Sequence, residues 1–241
     1  MKAAGLLHVL AAFLLAFLAG YADVITYMRY GSFAASMTGN MVFAGREIAL
    51  LQWEDFLFYF AIMTSWTLGC VLYQQIEKFY PRKGASRAAL LVAVISTGID
   101  VAYNLAAPDG TTPRRRWWIV GLSPIFGVEE AFAFKHLQLG ATGVAKHFQN
   151  ISKIFLFSKE TCERQQTYLL NDVSLSAFML LGFLLGAVLG ERLANTFGVE
   201  VRWCFLPVSP LVTLAIWVHE CLKHSDLLLG SSDDDSDASQ D

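Results

Sequence analysis

The chain has 241 residues, of which 55% are hydrophobic and 16% are charged, and its formal net charge is -3. Soluble domains carry about 25% charged residues, so this composition excludes an ordinary soluble protein and indicates an integral membrane protein. The four cysteines are scattered, without a Cys-x-x-Cys pair. Their spacing implies neither a disulfide framework nor a zinc site.

Long apolar stretches predict about six membrane spans of roughly 20 residues each. In chain order, their approximate bounds are 5–28, 56–76, 88–107, 118–134, 173–193 and 203–222. We interpret the first as a retained span, since the apolar stretch continues through Ile25 and no Ala-x-Ala cleavage site follows it. Pro124 predicts a kink in the fourth span. Glycines at every fourth position of the fifth span predict close helix packing there: Gly182, Gly186 and Gly190.

Two segments between the spans are apolar but rich in small or polar residues. The first covers residues 31–51 and contains Thr38-Gly39-Asn40, and the second covers residues 135–164. This composition is typical of a broken or re-entrant helix that lines polar space inside a membrane. We therefore predict half-helices or re-entrant pieces at these two places.

The two halves of the chain are similar to each other. Gly20-Tyr-Ala-Asp-Val-Ile-Thr-Tyr aligns with Gly127-Val-Glu-Glu-Ala-Phe-Ala-Phe, which pairs Asp23 with Glu130. Three residues inserted in the second copy then align Thr38-Gly39-Asn40 with Phe148-Gln149-Asn150. A unit of three spans has an odd count, so the second copy would be inverted, as in many transporters. The alternative is a chance similarity between apolar segments.

The predicted domain organisation is a polytopic membrane domain over residues 1–225, with repeat one at about 5–107 and repeat two at about 117–222. Residues 226–241 are acidic and serine-rich, which predicts a disordered C-terminal tail. More Lys and Arg fall on the side that receives Lys2 and the loops after spans 2 and 4. Both termini of this multi-pass protein are therefore predicted to be cytoplasmic.

Eight polar or flexible residues form the predicted binding site. Asp23 lies within a span, where a charge costs about 3 kcal/mol on insertion scales and normally faces protein or water. It would either couple protons or cations to movement, or hold the helix break together by pairing with Arg29. Thr38–Asn40 would either coordinate an ion or polar solute or form a turn. The full set is Asp23, Thr38, Gly39, Asn40, Asp100, Glu130, Gln149 and Asn150.

Helix geometry decides the interpretation of two further pairs of polar residues. Glu129 and Glu130 point about 100° apart on a helix, so they cannot face one partner, and we assign Glu130 to the site. Asp100 and Asn104 share one helix face. For that pair, an interhelical hydrogen bond is favoured over a functional role.

The run from Gly20 to Tyr27, followed by Gly31-Ser-Phe-Ala-Ala-Ser-Met-Thr-Gly-Asn, resembles the signature of the YoaK-like family of small membrane proteins. The resemblance covers about residues 10–222. It implies about six helices per chain and brings no mechanism, because that family is largely of unknown function. The second half departs from the family pattern: Gly127-Val-Glu-Glu-Ala replaces Gly-x-Gln-Asn-Ala, and Phe148-Gln149 replaces a second Thr-Gly. A changed substrate or loss of the ancestral activity therefore stays open.

The sequence as a whole predicts an all-α integral membrane protein of two inverted three-helix repeats. It would bind or transport a small polar solute or ion in a midplane cavity between the repeats. The alternative is a non-transporting scaffold or assembly factor with a cytoplasmic acidic tail. Neither an enzyme nor a cofactor is predicted, because no nucleophile–base arrangement is found. The expected partners are the lipid bilayer and the solute, with no nucleic acid, and a homo-oligomer is left open.

Overall fold

A computed structural model gives the fold and describes residues 3–81, 83–106, 113–137, 140, 144–152, 163–197 and 205–230. All regular structure in these residues is helical, which confirms the predicted all-α class. The helices are α1 (Ala3–Tyr30), α2 (Met37–Ala49), α3 (Trp53–Phe79), α4 (Gly84–Ala106), α5 (Ile119–Leu122), α6 (Pro124–His136), α7 (Val144–Ser152), α8 (Glu163–Phe197) and α9 (Val208–Gly230), with a 3₁₀ turn at Pro113–Trp118.

Four helices in the described part of the chain are long and apolar enough to cross a membrane. They are Val9–Tyr30, Trp53–Phe79, Gly84–Leu105 and Val173–Thr196, and they coincide with the first, second, third and fifth predicted spans. The apolar part of α9 is shorter, at Val208–Cys221. A membrane-embedded protein is thus supported, with four helices rather than six meeting the criteria of length and hydropathy.

The fourth predicted span is interrupted rather than continuous. α5 ends at Leu122, and α6 begins at Pro124 after a turn residue, Ser123. Proline lacks the backbone N–H that would continue the hydrogen-bonding pattern of the preceding turn. The kink predicted at Pro124 thus coincides with the break between α5 and α6.

The first of the two polar segments contains a helix too short to cross a membrane. α2 has 13 residues, so it is about 20 Å long at 1.5 Å per residue, whereas the hydrocarbon core is about 30 Å thick. Residues 31–36 turn the chain back between α1 and α2, and Gly31 there adopts a φ of 70° that glycine tolerates without strain. We call residues 31–36 the first turn. The predicted half-helix is thus confirmed, and α2 packs against α3.

α1 and α8 pack closely along their length and run in the same direction. Backbone oxygens of Phe13, Phe17 and Tyr21 lie, in that order, against three successive glycines of α8: Gly182, Gly186 and Gly190. Small residues at this spacing let two backbones approach. The glycine face predicted for the fifth span is therefore a helix contact.

α3 and α6 form a second parallel pair, and α4 and α9 form an antiparallel one. In α3, Ser65 donates a hydrogen bond to the Val120 carbonyl of α5. Further along α3, the Cys70 thiol lies 3.2 Å from the Gly127 carbonyl oxygen of α6. The carboxylate of Glu220 in α9 accepts hydrogen bonds from backbone N–H groups in the first turn of α4, at 3.0 and 3.2 Å. An anion at a helix N-terminus is favourable, and it fixes the middle of α9 against the start of α4.

The C-terminal helix is longer than predicted. α9 continues to Gly230, so the first five residues of the predicted tail at 226–241 are helical. Residues 231–241 lie outside the described residues.

Candidate functional site

Asp23 holds the first turn against α1. Its carboxylate accepts hydrogen bonds from the backbone N–H groups of Ala35 at 2.8 Å and Ser36 at 3.2 Å, and from the Ser36 hydroxyl. The Thr26 hydroxyl accepts a further hydrogen bond, at 3.1 Å, from the N–H of Ala34. Asp23 is buried, and all three of its partners are donors. Asp23 therefore acts as a hydrogen-bond acceptor that fixes the first turn to α1.

Asn40 closes the same turn from α2. Its amide nitrogen donates to the Phe33 carbonyl oxygen at 2.7 Å, and its amide oxygen accepts from the Phe33 N–H at 3.1 Å. Gly39 lies against the Phe33 ring, and Thr38 is exposed. Of these three predicted site residues, Asn40 is therefore committed to the turn, and Thr38 lies on the outer surface.

Arg29 pairs with α4 instead of with Asp23. Its guanidinium lies 3.3 Å from the Asp100 carboxylate and 3.5 Å from the Asn104 amide oxygen, and 4.7 Å from the centre of the Tyr103 ring. We call these four residues the Arg29 cluster. The interhelical role favoured for Asp100 and Asn104 is confirmed, and it links α1 to α4.

The acidic residue predicted for the second half, Glu130, lies against Gly140 in the connection between α6 and α7. A Cβ atom added at Gly140 would overlap the Glu130 carboxylate. The Nε2 atom of His147 in α7 lies 3.1 Å from the Gly140 carbonyl oxygen and is positioned to donate to it. The polar groups of this half therefore also converge on the backbone between two helices.

The other two residues predicted for the second half lie further along α7. Asn150 is buried and donates a hydrogen bond of 3.1 Å to the Ser176 hydroxyl of α8. Gln149 is exposed. Asn150 therefore fastens α7 to α8, while Gln149 faces away from the bundle.

Glu129 is the buried acid that sequence reasoning did not assign to the site. Its side chain is 1% exposed, and neither of its carboxylate oxygens has a hydrogen-bond partner in the described part of the chain. The charges that act on it are the carboxylates of Glu130 and Asp23. Glu129 on α6 therefore lies within electrostatic range of Asp23 on α1 and of its own neighbour Glu130.

A signal for Glu129 was present in the sequence. Helix positions three and four residues apart share a face, so Glu129 shares one with Ile125, Phe132 and Ala133, all of which are buried. An acid on the most apolar face of α6 had to enter the core. Its neighbour Glu130 is rotated towards the edge of that core.

A cavity of about 640 Å³ opens between the C-terminal halves of α3 and α6, and Glu130 lines it. Its wall is amphipathic, with aromatic and ionisable side chains from both helices: Trp66, Cys70, Tyr73, Gln74, Glu77, Lys78, Pro81, Ala131, Phe134 and Lys135. Of the predicted site residues, Glu130 is the one that lines this opening.

An ionic group borders the cavity at the end of α6. Glu77 lies 2.7 Å from the Lys135 ammonium and 3.6 Å from the His136 ring, and the Tyr73 hydroxyl lies 3.2 Å from the same ring. We call these four residues the Glu77 cluster. The Arg29 cluster and the Glu77 cluster thus each join two helices, the first joining α1 to α4 and the second joining α3 to α6.

Comparison with known proteins identifies a family but no activity. A family model described as "Protein of unknown function (DUF1275)" matches residues 11–218. It represents the YoaK-like family that the motif at Gly20–Tyr27 resembles. No curated protein and no solved structure matches the chain.

Proposed function

Since the chain belongs to the DUF1275 family, a family of unknown function, we propose its function from its own geometry: a transporter of a small polar solute or ion. It would consist of two inverted repeats with three spans each. The first contains α1, α3 and α4, the second contains the interrupted α5–α6, α8 and α9, and the half-helices α2 and α7 complete them.

The observation that carries this proposal is a helix contact that occurs twice. In the α1–α8 pair, Gly20 lies against the carbonyl of Phe183, and Gly186 lies against the carbonyl of Phe17. A Cβ atom at either glycine would overlap the opposing oxygen. The contact is reciprocal, because each helix contributes one glycine and one carbonyl.

The α6–α3 pair contains the same contact. Gly127 lies against the carbonyl of Trp66, and Gly69 lies against the carbonyl of Pro124. Gly127 and Pro124 of α6 follow Gly20 and Phe17 of α1 by one and the same number of positions. Gly186 and Phe183 of α8 likewise follow Gly69 and Trp66 of α3 by one constant number of positions. This agreement favours a common origin of the two contacts over chance similarity.

The remaining packing supports the same correspondence. α2 packs on α3 as α7 packs on α8, and α1 contacts α9 as α6 contacts α4. α4 and α9 contact each other, as a pair related by a two-fold axis would. The order α1, α2, α3, α4 therefore corresponds to α6, α7, α8, α9.

Hydrogen bonds at the turns correct the alignment of the repeats. Asn40 bonds to Phe33 and His147 bonds to Gly140, and in both cases the partner lies 7 positions back. Both bonds fit an alignment without an insertion, in which Asn40 corresponds to His147. The three-residue insertion that aligned Asn40 with Asn150 is not needed.

The direction of the helices supports inversion. α1 runs parallel to α8 and α3 runs parallel to α6, while α4 and α9 are antiparallel, as six spans of alternating direction require. Inverted repeats with interrupted helices place a solute site where the interruptions meet. Here that place is the contact between α1 and α6, where Glu129 lies within electrostatic range of Asp23.

The Arg29 cluster and the Glu77 cluster would lie at the two ends of a solute path through the contact between α1 and α6. The cavity beside Glu130 opens on the side of Lys78 and Lys135, which the positive-inside rule assigns to the cytoplasm. The Arg29 cluster is buried, with Arg29 and Asp100 only 6% and 1% exposed, and it would close the opposite end. The arrangement corresponds to a state open towards the cytoplasm.

Thiol accessibility in sealed vesicles tests this function. In a cysteine-depleted background, Ala131→Cys, in the cavity wall, should react with a charged thiol reagent from the cytoplasmic side. Ser36→Cys, at the first turn, should become reactive from the other side when Asp100→Asn weakens the Arg29 cluster. Leu184→Cys, on the apolar outer face of α8, is the control and should not react. Reaction of neither Ala131→Cys nor Ser36→Cys would reject the transporter.

One observation favours the alternative of a non-transporting scaffold. Asp23 and Asn40 are fully used within the first turn, as expected if polar groups serve only to lock helices. In that case Asp100→Asn lowers stability without exposing Ser36→Cys to the reagent. The same experiment therefore separates the two functions.

A further inference from the structure

We propose that Glu129 is the proton-carrying residue of this protein, so that movement of the solute is coupled to movement of protons. The inference rests on the proposed transport function and adds its driving ion. It concerns a residue that neither the family match nor the sequence motif assigns to any role.

The first argument is the isolation of the Glu129 carboxyl group. Both of its oxygens are buried, and no hydrogen-bond donor or cation in the described residues contacts them. A buried charge without such partners is strongly disfavoured. The stable form at this position is therefore the neutral acid, which carries a proton.

The second argument is the charge of the surroundings. Glu129 is acted on by the carboxylate of Glu130 on its own helix and by that of Asp23 on α1. From α3, the titratable group at this level is the thiol of Cys70, which bonds to the Gly127 carbonyl. The carboxylates of Glu130 and Asp23 would repel a negative charge on Glu129. They therefore add to the preference of Glu129 for its neutral, protonated form.

The ionisable groups of α4 and α9 are engaged elsewhere. Asp100 pairs with Arg29, and Glu220 binds the N-terminus of α4. His219 packs against the rings of Phe132 and His136. The described groups of α4 and α9 thus supply no cation to the Glu129 carboxyl group.

A proton fits this site better than a metal ion does. Metal ions need several converging ligands, and no group of three or more His, Cys, Asp or Glu side chains in the described part of the chain could hold one. The oxygens of Asp23 already accept hydrogen bonds from the first turn. A single unpartnered carboxyl in a membrane protein is instead suited to a proton relay.

The proton step follows from these contacts. In the closed arrangement the Glu129 O–H bond is intact and the site is dry. When the contact between α1 and α6 opens, water enters from the cavity beside Glu130, the O–H bond breaks, and the proton passes to that water. The carboxylate left behind is stabilised by the water or by a cationic group of the solute, and reprotonation allows the site to close.

The proposed proton site at Glu129 occurs in one of the two proposed repeats and has no acidic counterpart in the other. In the alignment without an insertion, Glu129 corresponds to Ala22, which is fully buried in α1. Asp23 and Glu130 are the acids that the repeats share, and both lie against a turn. One proton per cycle is therefore expected to be exchanged at this contact.

Infrared difference spectroscopy of the protein in liposomes tests the proton site directly. The wild type should show a protonated-carboxyl band that disappears on raising the pH. The band should be absent from Glu129→Gln and retained in Glu47→Gln, a control that removes another buried acid, 6% exposed. An unchanged titrating band in Glu129→Gln, or no such band in the wild type, would overturn the proposal.

A second readout links the proton to movement. Because an ionised Glu129 requires water, raising the pH should increase the reactivity of Ser36→Cys severalfold beyond the rise that a free thiol shows as it ionises, and Glu129→Gln should abolish this excess. The same pH dependence in both proteins contradicts the proposal. If thiol accessibility fails at every pH, the transport function is rejected, whereas the infrared band still reports whether Glu129 titrates.

Discussion

Arg29 and Asp100 form an ion pair of 3.3 Å between α1 and α4, and their side chains are 6% and 1% exposed. The pair joins the C-terminal part of α1 to the C-terminal part of α4. One Asp100 oxygen and the Asn104 amide nitrogen have no partner in the described residues. The cluster is therefore buried without being fully satisfied.

Loss of one partner of this ion pair should be costly. Asp100→Ala leaves the Arg29 charge buried and uncompensated, which costs about 3–5 kcal/mol. The double variant Arg29→Met with Asp100→Leu removes both charges and should be considerably more stable than Asp100→Ala. Thermal unfolding in detergent measures the order. Equal stability of the single and double variants would show that the pair is not desolvated.

Asp23 should tolerate an amide far better than an apolar residue. Asp23→Asn keeps an oxygen that can accept from Ala35 and Ser36, whereas Asp23→Ala leaves buried N–H groups unpaired at about 1–3 kcal/mol each. We therefore expect Asp23→Ala to lose most of its folded yield and Asp23→Asn to keep it. Membrane insertion and size-exclusion profiles measure both. Comparable profiles for the two variants would contradict the role of Asp23 as an acceptor.

The two reciprocal glycine contacts should be equally sensitive to an added methyl group. Gly20→Ala and Gly127→Ala would each place a Cβ atom on an opposing carbonyl, and overpacking of this kind costs about 1–3 kcal/mol. The matched controls are Gly45→Ala and Gly98→Ala, where nothing lies within 4 Å and helix propensity favours alanine by up to about 1 kcal/mol. Melting temperatures should fall for the first two variants only. A difference in sign between Gly20→Ala and Gly127→Ala argues against equivalent contacts.

The Glu220 carboxylate should contribute to stability through the N-terminus of α4. Glu220→Ala removes the acceptor of two backbone hydrogen bonds and an anion that favours the helix dipole, a loss of about 1–2 kcal/mol. Glu220→Gln, which keeps one acceptor oxygen, should lie between this variant and the wild type. Thermal unfolding at low and high salt checks the order, and a Glu220→Gln variant as unstable as Glu220→Ala would exclude the capping role.

Local chemistry explains which features were predictable from the sequence. The half-helix α2 follows from the excess of small residues in 31–51, and the break before α6 follows from Pro124. The close contact of α8 follows from glycines at every fourth position. Each of these depends on residues that are adjacent or one helical turn apart.

Features that depend on long-range packing were not predictable. The pairing of Arg29 with Asp100 spans 71 positions, and Asp23 found its partners in the backbone of the first turn instead. The polar residues predicted to share one cavity are for the same reason divided between a turn, an ion pair, a helix contact and the outer surface. Glu129 is a different case: it was passed over for Glu130 because the alignment of the two halves paired Glu130 with Asp23, although the apolar face on which Glu129 lies can be read from the sequence.

The most direct test of the account is the side of the membrane reached by the two half-helices. Single cysteines at Gln52, just after α2, and at Gln149 in α7 are both exposed. They would be labelled with an impermeant reagent in sealed vesicles of known orientation. Inverted repeats predict that Gln52→Cys reacts from the outer side and Gln149→Cys reacts from the cytoplasmic side. Labelling of both from the same side would contradict the inverted repeat and the transport path built on it.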